Sequence, residues 1–145
     1  MKAATDTRFL NVDLDIFSKR DLHPLLNAFG KKVSVLYSGR DRRTYRAHIE
    51  LARIPRTADF TIRGFCSMIE ALPKAERDLW IQAKRRDFNI GVQAGMSPHS
   101  TLFVLPVETL KAAHKLGARI VFTVYAPEQS REAGRSETAS GRPKL

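Results

Sequence analysis

The chain has 145 residues, with 25 lysines and arginines against 15 aspartates and glutamates, for a formal net charge of +10. Hydrophobic residues make up 43% and charged residues 28%, which excludes a wholly disordered chain and suits one folded domain with its own core. A single cysteine, Cys66, excludes an internal disulfide framework and a cysteine-based zinc site.

The first residues, Met1-Lys2-Ala3-Ala4-Thr5, have no apolar stretch after the lysine and do not read as a secretory leader. No apolar run approaches the ~20 residues of a membrane-spanning helix, so no membrane partner is expected. One lone thiol without an export signal points to the cytoplasm. Residues 1–8 read as an N-terminal extension, 9–126 as one α+β domain, and 127–145 as a disordered tail. That tail is rich in Ser, Gly, Glu and Arg and too poor in apolar residues to offset the entropy of ordering.

In residues 9–17, Leu10, Val12, Leu14 and Ile16 alternate with Asn11, Asp13 and Asp15, the period-2 signature of a strand with one buried face. A short helix follows. Pro24 belongs in its first turn, Asp21 is the expected N-cap, and Leu22, Leu25, Leu26 and Phe29 face the core. Gly30 stands where a left-handed residue ends a helix. Residues 32–38 predict a second strand with Val33, Val35 and Tyr37 on one face. Residues 39–42 predict a turn, and 44–51 a third strand with Tyr45, Ala47, Ile49 and Leu51 inward.

Pro55 marks a loop. Asp59 or Thr61 is the expected cap of the next helix, whose Ile62, Phe65, Cys66, Ile69 and Leu72 recur at helical spacing. Pro73 ends that helix and opens another, carrying Leu79, Trp80 and Ala83. Phe88, Ile90, Val92 and Ala94 predict a fourth strand, and residues 101–105 a fifth. A helix over 107–116 has Leu110, Ala113 and Leu116 inward, and residues 119–125 predict a sixth strand. The expected fold is a single, mainly antiparallel sheet of about six strands with three or four helices on one face. The element order is β-α-β-β-α-α-β-β-α-β.

Segments 21–37 and 109–125 echo each other as helix, glycine, basic residue and Val-rich strand ending in tyrosine, which reads as a pseudo-repeat. Helices on one sheet face leave the other to Asn11, Asp13, Asp15, Arg46, His48, Glu50, Asn89 and Gln93. That face is read first as solvated surface, and secondly as a docking surface.

There is no glycine-rich phosphate loop, HExxH or GxSxG, and the four histidines stand at no metal-ligand spacing from one another. No cofactor, metal or catalytic residue is expected. Cys66 and Trp80 read as core residues. Asp13, Asp15, His48 and Glu50 could do acid–base work if the sheet brings them together.

The basic residues are more informative. Residues 31–56 hold Lys31, Lys32, Arg40, Arg42, Arg43, Arg46, Arg53 and Arg56 against Asp41 and Glu50. Arginine forks match carboxylates and phosphates, and Tyr37 and Tyr45 flank the turn. No nucleic-acid-binding motif accompanies them.

The stretches RDFNIGVQAG at 86–95 and TLKAAHKLGARIVFTVY at 109–125, with FLNVDLDI at 9–16, resemble small bacterial α/β proteins of unknown function. The resemblance implies a compact domain and carries over no catalytic residue. Some bacterial proteins of this size are immunity proteins that block a partner toxin, and the expected function follows that analogy. It is a non-catalytic domain of immunity or regulatory type that binds an acidic protein through the eight basic residues of 31–56. Nucleic-acid binding through the same region, and an enzyme on the polar sheet face, are the alternatives.

Overall fold

Alternation builds the central strand. In β1 (Arg8–Ser18), Val12, Leu14 and Ile16 are fully buried, while Asn11, Asp13 and Asp15 are half-buried on the opposite face. The computed structural model describes residues 6–127. After β1 come α1 (His23–Phe29), β2 (Val33–Asp41), β3 (Thr44–Leu51), α2 (Ala58–Glu70), α3 (Lys74–Gln82), β4 (Arg85–Gln93), α4 (Val107–Lys115) and β5 (Arg119–Tyr125). The expected tail lies outside the described residues, apart from Pro127. At the other terminus the chain is already tied down at Thr7, whose N–H donates to Ser97 O at 2.8 Å.

The strands form one sheet in the order β2-β3-β1-β4-β5. Pairs β2–β3, β3–β1 and β1–β4 are antiparallel, and β4–β5 is parallel. The fold is therefore α+β with a mixed sheet of five strands, not six. Residues 101–105 form no strand, because β4 is already paired with β1 on one edge and β5 on the other. Up to β4, the connectivity and strand order are those of a split βαβ sandwich. Helix α4 then carries the chain across to a parallel neighbour, as a parallel pair requires.

Local chemistry sets the element ends. The N-cap of α1 is Leu22, not the expected Asp21, which stands one residue earlier and accepts from His23 N at Oδ1 at 2.9 Å. Gly30 (φ +58) and Gly117 (φ +70) adopt a positive φ, which glycine takes without a Cβ clash. The cap of α2 is Thr57, not Asp59 or Thr61: its hydroxyl accepts from Phe60 N at 3.0 Å. Thr61 is buried, and Asp59 instead accepts from the Thr109 hydroxyl, tying α2 to α4. The hairpin turn lies at Arg42 and Arg43, because β2 runs on through Gly39 to Asp41.

Two bulges overturn expected facings. Phe9 pairs with Val92 and Asn11 with Gly91, so Leu10 is the extra residue; it moves to the polar face and Phe9 packs on the core. On β2, Val35 pairs with Ile49 and Tyr37 with His48, so Leu36 is extra and Tyr37 turns to the polar face. In α4, Ala113 and Thr109 are buried while Leu110 is 45% exposed, because α4 leans on α2 rather than lying flat over β5.

A single core joins the helices to one sheet face. Phe65 and Phe88 meet at 5.8 Å between ring centres, and buried Trp80 donates from Nε1 to Leu116 O at 3.0 Å. The pseudo-repeat is local only. Helices α1 and α4 each lead through a glycine of positive φ into an edge strand, but β2 is separated from β1 by β3, whereas β5 lies directly beside β4.

Candidate functional site

The helix-free face of the sheet is ordered in rows by the strand register. Arg46, Phe17 and Arg85 form one row; His48, Asp15, Asp87 and Arg119 form the next; Glu50, Asp13 and Asn89 form the third. Every polar residue expected on this face is there, and most are bonded to a neighbour. Asn11 Nδ2 donates to Glu50 Oε2 at 2.9 Å, and the Thr123 hydroxyl donates to Asn89 Oδ1 at 2.8 Å. Arg119 grips buried Asp87 through two bonds of 2.7 and 2.9 Å, and Arg85 approaches the same carboxylate at 3.1 Å. That bidentate grip raises the Arg119 pKa further, because the hydrogen bond and the charge of Asp87 both favour the guanidinium.

The acidic centre of this face is electrostatically crowded. Burial pushes the Asp13 carboxyl up to about 6, with Asp15 and Glu50 adding repulsion. Among the described residues, no three His, Cys, Asp or Glu side chains are arranged to hold a metal ion.

His48 is held on both ring nitrogens. Nδ1 lies 2.5 Å from Asp15 Oδ1, and Nε2 lies 3.3 Å from an Arg46 Nη. A guanidinium only donates, so Nε2 is the acceptor and Nδ1–H donates to Asp15. The free lone pair that a general base would offer a substrate is thus engaged by Arg46. Cys66 offers no nucleophile either: it is buried, and burial together with Glu70 pushes its thiol up to about 11.

The eight basic residues of 31–56 fall into two groups. Lys32 lies at the start of β2, bonded through its carbonyl to Ala52 N, and Lys31 precedes it. Arg53 and Arg56 follow β3 and stack on Phe60 at 4.8 and 5.0 Å. Arg40, Arg42, Arg43 and Arg46 lie at the other end of the hairpin. A nine-residue strand at ~3.3 Å per residue separates the groups by about 30 Å.

The second group has company that sequence reasoning missed. Antiparallel pairing of β1 with β4 places Lys19 and Arg20, just past β1, beside Lys84, Arg85 and Arg86 at the start of β4. Lys84 N donates to Phe17 O at 2.7 Å, and Arg20 reaches Gln82 Oε1 at 2.7 Å. Arg119 opens β5 at the same end. Ten lysines and arginines thus converge on one end of the sheet, against Asp15, Asp21, Asp41 and Asp87, an excess of six out of the chain's +10. All but Arg46 and Arg86 are exposed. Arg86 turns inward, where it donates to Trp80 O and Ile81 O at 2.9 and 3.0 Å and closes the last turn of α3. The run Lys84-Arg85-Arg86 was the available signal, but only the strand order joins it to the hairpin tip.

The aromatic rings at this end are already faced by arginines. Phe17 lies between Arg85 at 4.0 Å and Arg46 at 5.4 Å, Arg46 also approaches Tyr37 at 5.8 Å, and Arg40 lies 5.3 Å over Tyr45. No family model matches the chain, and neither does any curated protein or solved structure. No helix among the described residues is long and apolar enough to cross a membrane.

Proposed function

We propose that this chain is a non-catalytic binding module, of immunity or regulatory type, that docks an acidic protein onto the basic end of its sheet. The observation that carries this reading is the convergence of ten cations from separate segments on that end. A surface with that excess attracts an acidic partner from a distance and orients it on approach. Exposed arginines at the hairpin tip present planar forks to carboxylates.

Two features favour a protein over a nucleic acid. Single-stranded nucleic acid binds by stacking bases on free rings, but Phe17, Tyr37 and Tyr45 are faced by the chain's own guanidiniums. A strand laid further along the sheet would also bring its phosphates against Asp13, Asp15 and Glu50.

The test compares two charge-reversed variants as bait in extract of the native host. Arg42→Glu with Arg43→Glu and Arg85→Glu alters the basic end; Lys31→Glu with Lys32→Glu and Arg53→Glu alters the opposite end. A protein retained by the wild type and the second variant, lost by the first, and released by salt supports the proposal. Recovery of nucleic acid alone, or equal loss in both variants, overturns it.

A further inference from the structure

We propose that two copies of this chain join β5 to β5, antiparallel about a two-fold axis at Phe122, to make one continuous sheet of ten strands. Strand β5 closes one side of the sheet, and nothing among the described residues pairs with its outer edge. An open edge offers a row of N–H and C=O groups to any other strand, and monomeric proteins guard it with bulges, charges or proline. The opposite edge is guarded: β2 has its bulge at Leu36 and ends in Arg40 and Asp41. Strand β5 is not. Between Ile120 and Tyr125 it carries no charge, proline or glycine, and its register with β4 has no shift.

The exposed side chains match this need. Phe122 and Val124 point to the helix-covered side of the sheet, yet remain 54% and 62% exposed. Leu110 of α4, on the same side, is 45% exposed. An apolar strip of this kind marks an interaction surface.

The strand's own pattern selects a second copy as the occupant. About Phe122, an antiparallel partner sets Ile120 against Val124, Val121 against Thr123 and Phe122 against itself, all favourable cross-strand pairs. Arg119 then meets the partner's Tyr125 rather than another cation. The same arrangement sends the two basic ends to opposite ends of the assembly, which keeps like charges apart. Residues 128–145, which follow β5, are too polar to supply an apolar strand of their own. Such a contact is isologous and closes at two copies.

Light scattering after gel filtration tests the proposal on the full chain. The wild type is expected at twice 16.4 kDa when loaded at high micromolar concentration. Phe122→Glu and Phe122→Lys, each alone, place like charges face to face and are expected to halve the mass. Mixing the two variants is expected to restore it, which a folding defect could not do. Val35→Lys, on the guarded edge, is expected to leave the mass unchanged. A monomeric wild type, a dimer that survives both Phe122 substitutions, or a mixture that stays monomeric overturns the proposal. The contact depends on β5 and not on partner capture, so it and the proposed function can fail separately.

Discussion

His48 and Asp15, on neighbouring antiparallel strands, face each other with Nδ1 2.5 Å from Oδ1, and Arg46 closes the other side of the ring. The pair is part-buried, so its hydrogen bonds are shielded from competing water. The arrangement joins β1 to β3 and holds Arg46 at the edge of the basic end.

The first prediction concerns that pair. His48→Ala leaves the Asp15 carboxylate without its ring partner and frees Arg46. A loss of about 1–3 kcal/mol is expected in urea unfolding, the cost of stranding a partly buried polar group. Long-range nitrogen–proton NMR spectra of the wild type should show the proton on Nδ1. A neutral ring protonated at Nε2 would contradict this account.

Asp13 supplies a pH dependence. Its folded pKa, about 6, lies above the ordinary 3.8, so the folded state disfavours its ionisation. Below about pH 3 the carboxyl is largely protonated whether folded or unfolded and carries almost no penalty. As pH rises through 4 to 6 the folded protein binds more protons than the unfolded chain, and the stability from this group falls. Asp13→Asn should therefore match the wild type at about pH 3 and exceed it above about pH 6. The gain should be on the order of 1 kcal/mol, because solvent at this half-buried site screens the repulsion. Urea midpoints measured from about pH 3 to 8 check it, and a difference that does not vary with pH would sink it.

Arg42 is the one non-glycine residue with positive φ among the described residues, at 57°, and it sits at the tip of the basic hairpin. A side chain in this conformation costs about 1 kcal/mol relative to glycine. Arg42→Gly is expected to raise the thermal midpoint or leave it unchanged, while weakening capture of the acidic partner. A lower midpoint with undiminished capture would show that the arginine is there for the turn and not for binding.

Thr57 gives a local test of the helix end. Thr57→Ala removes the acceptor for Phe60 N and should cost about 1 kcal/mol, whereas Thr57→Ser keeps the hydroxyl and should be nearly neutral. Chemical denaturation of the two variants side by side distinguishes the cap from general packing.

The sequence by itself determined the strong local patterns. The alternation around Val12, Leu14 and Ile16, the helical spacing of Ile62, Phe65, Cys66 and Ile69, and the glycines at 30 and 117 all depend on near neighbours in the chain, and all appear where the pattern places them. Bulges escaped it, because the extra residue at Leu10 or Leu36 is defined only by the register of a partner strand. Residues 101–105 have the composition of a strand but lost the edge of β4 to β5, a competition that no local pattern records. The basic end was hidden for the same reason. Lys19 and Arg20, Arg42 and Arg43, and Lys84 and Arg85 are far apart along the chain. They share one end of the molecule only because β1 lies antiparallel between β3 and β4. The sequence set the amount of positive charge, while the tertiary structure decided where it gathers, because position across a sheet is fixed by strand order rather than by separation along the chain.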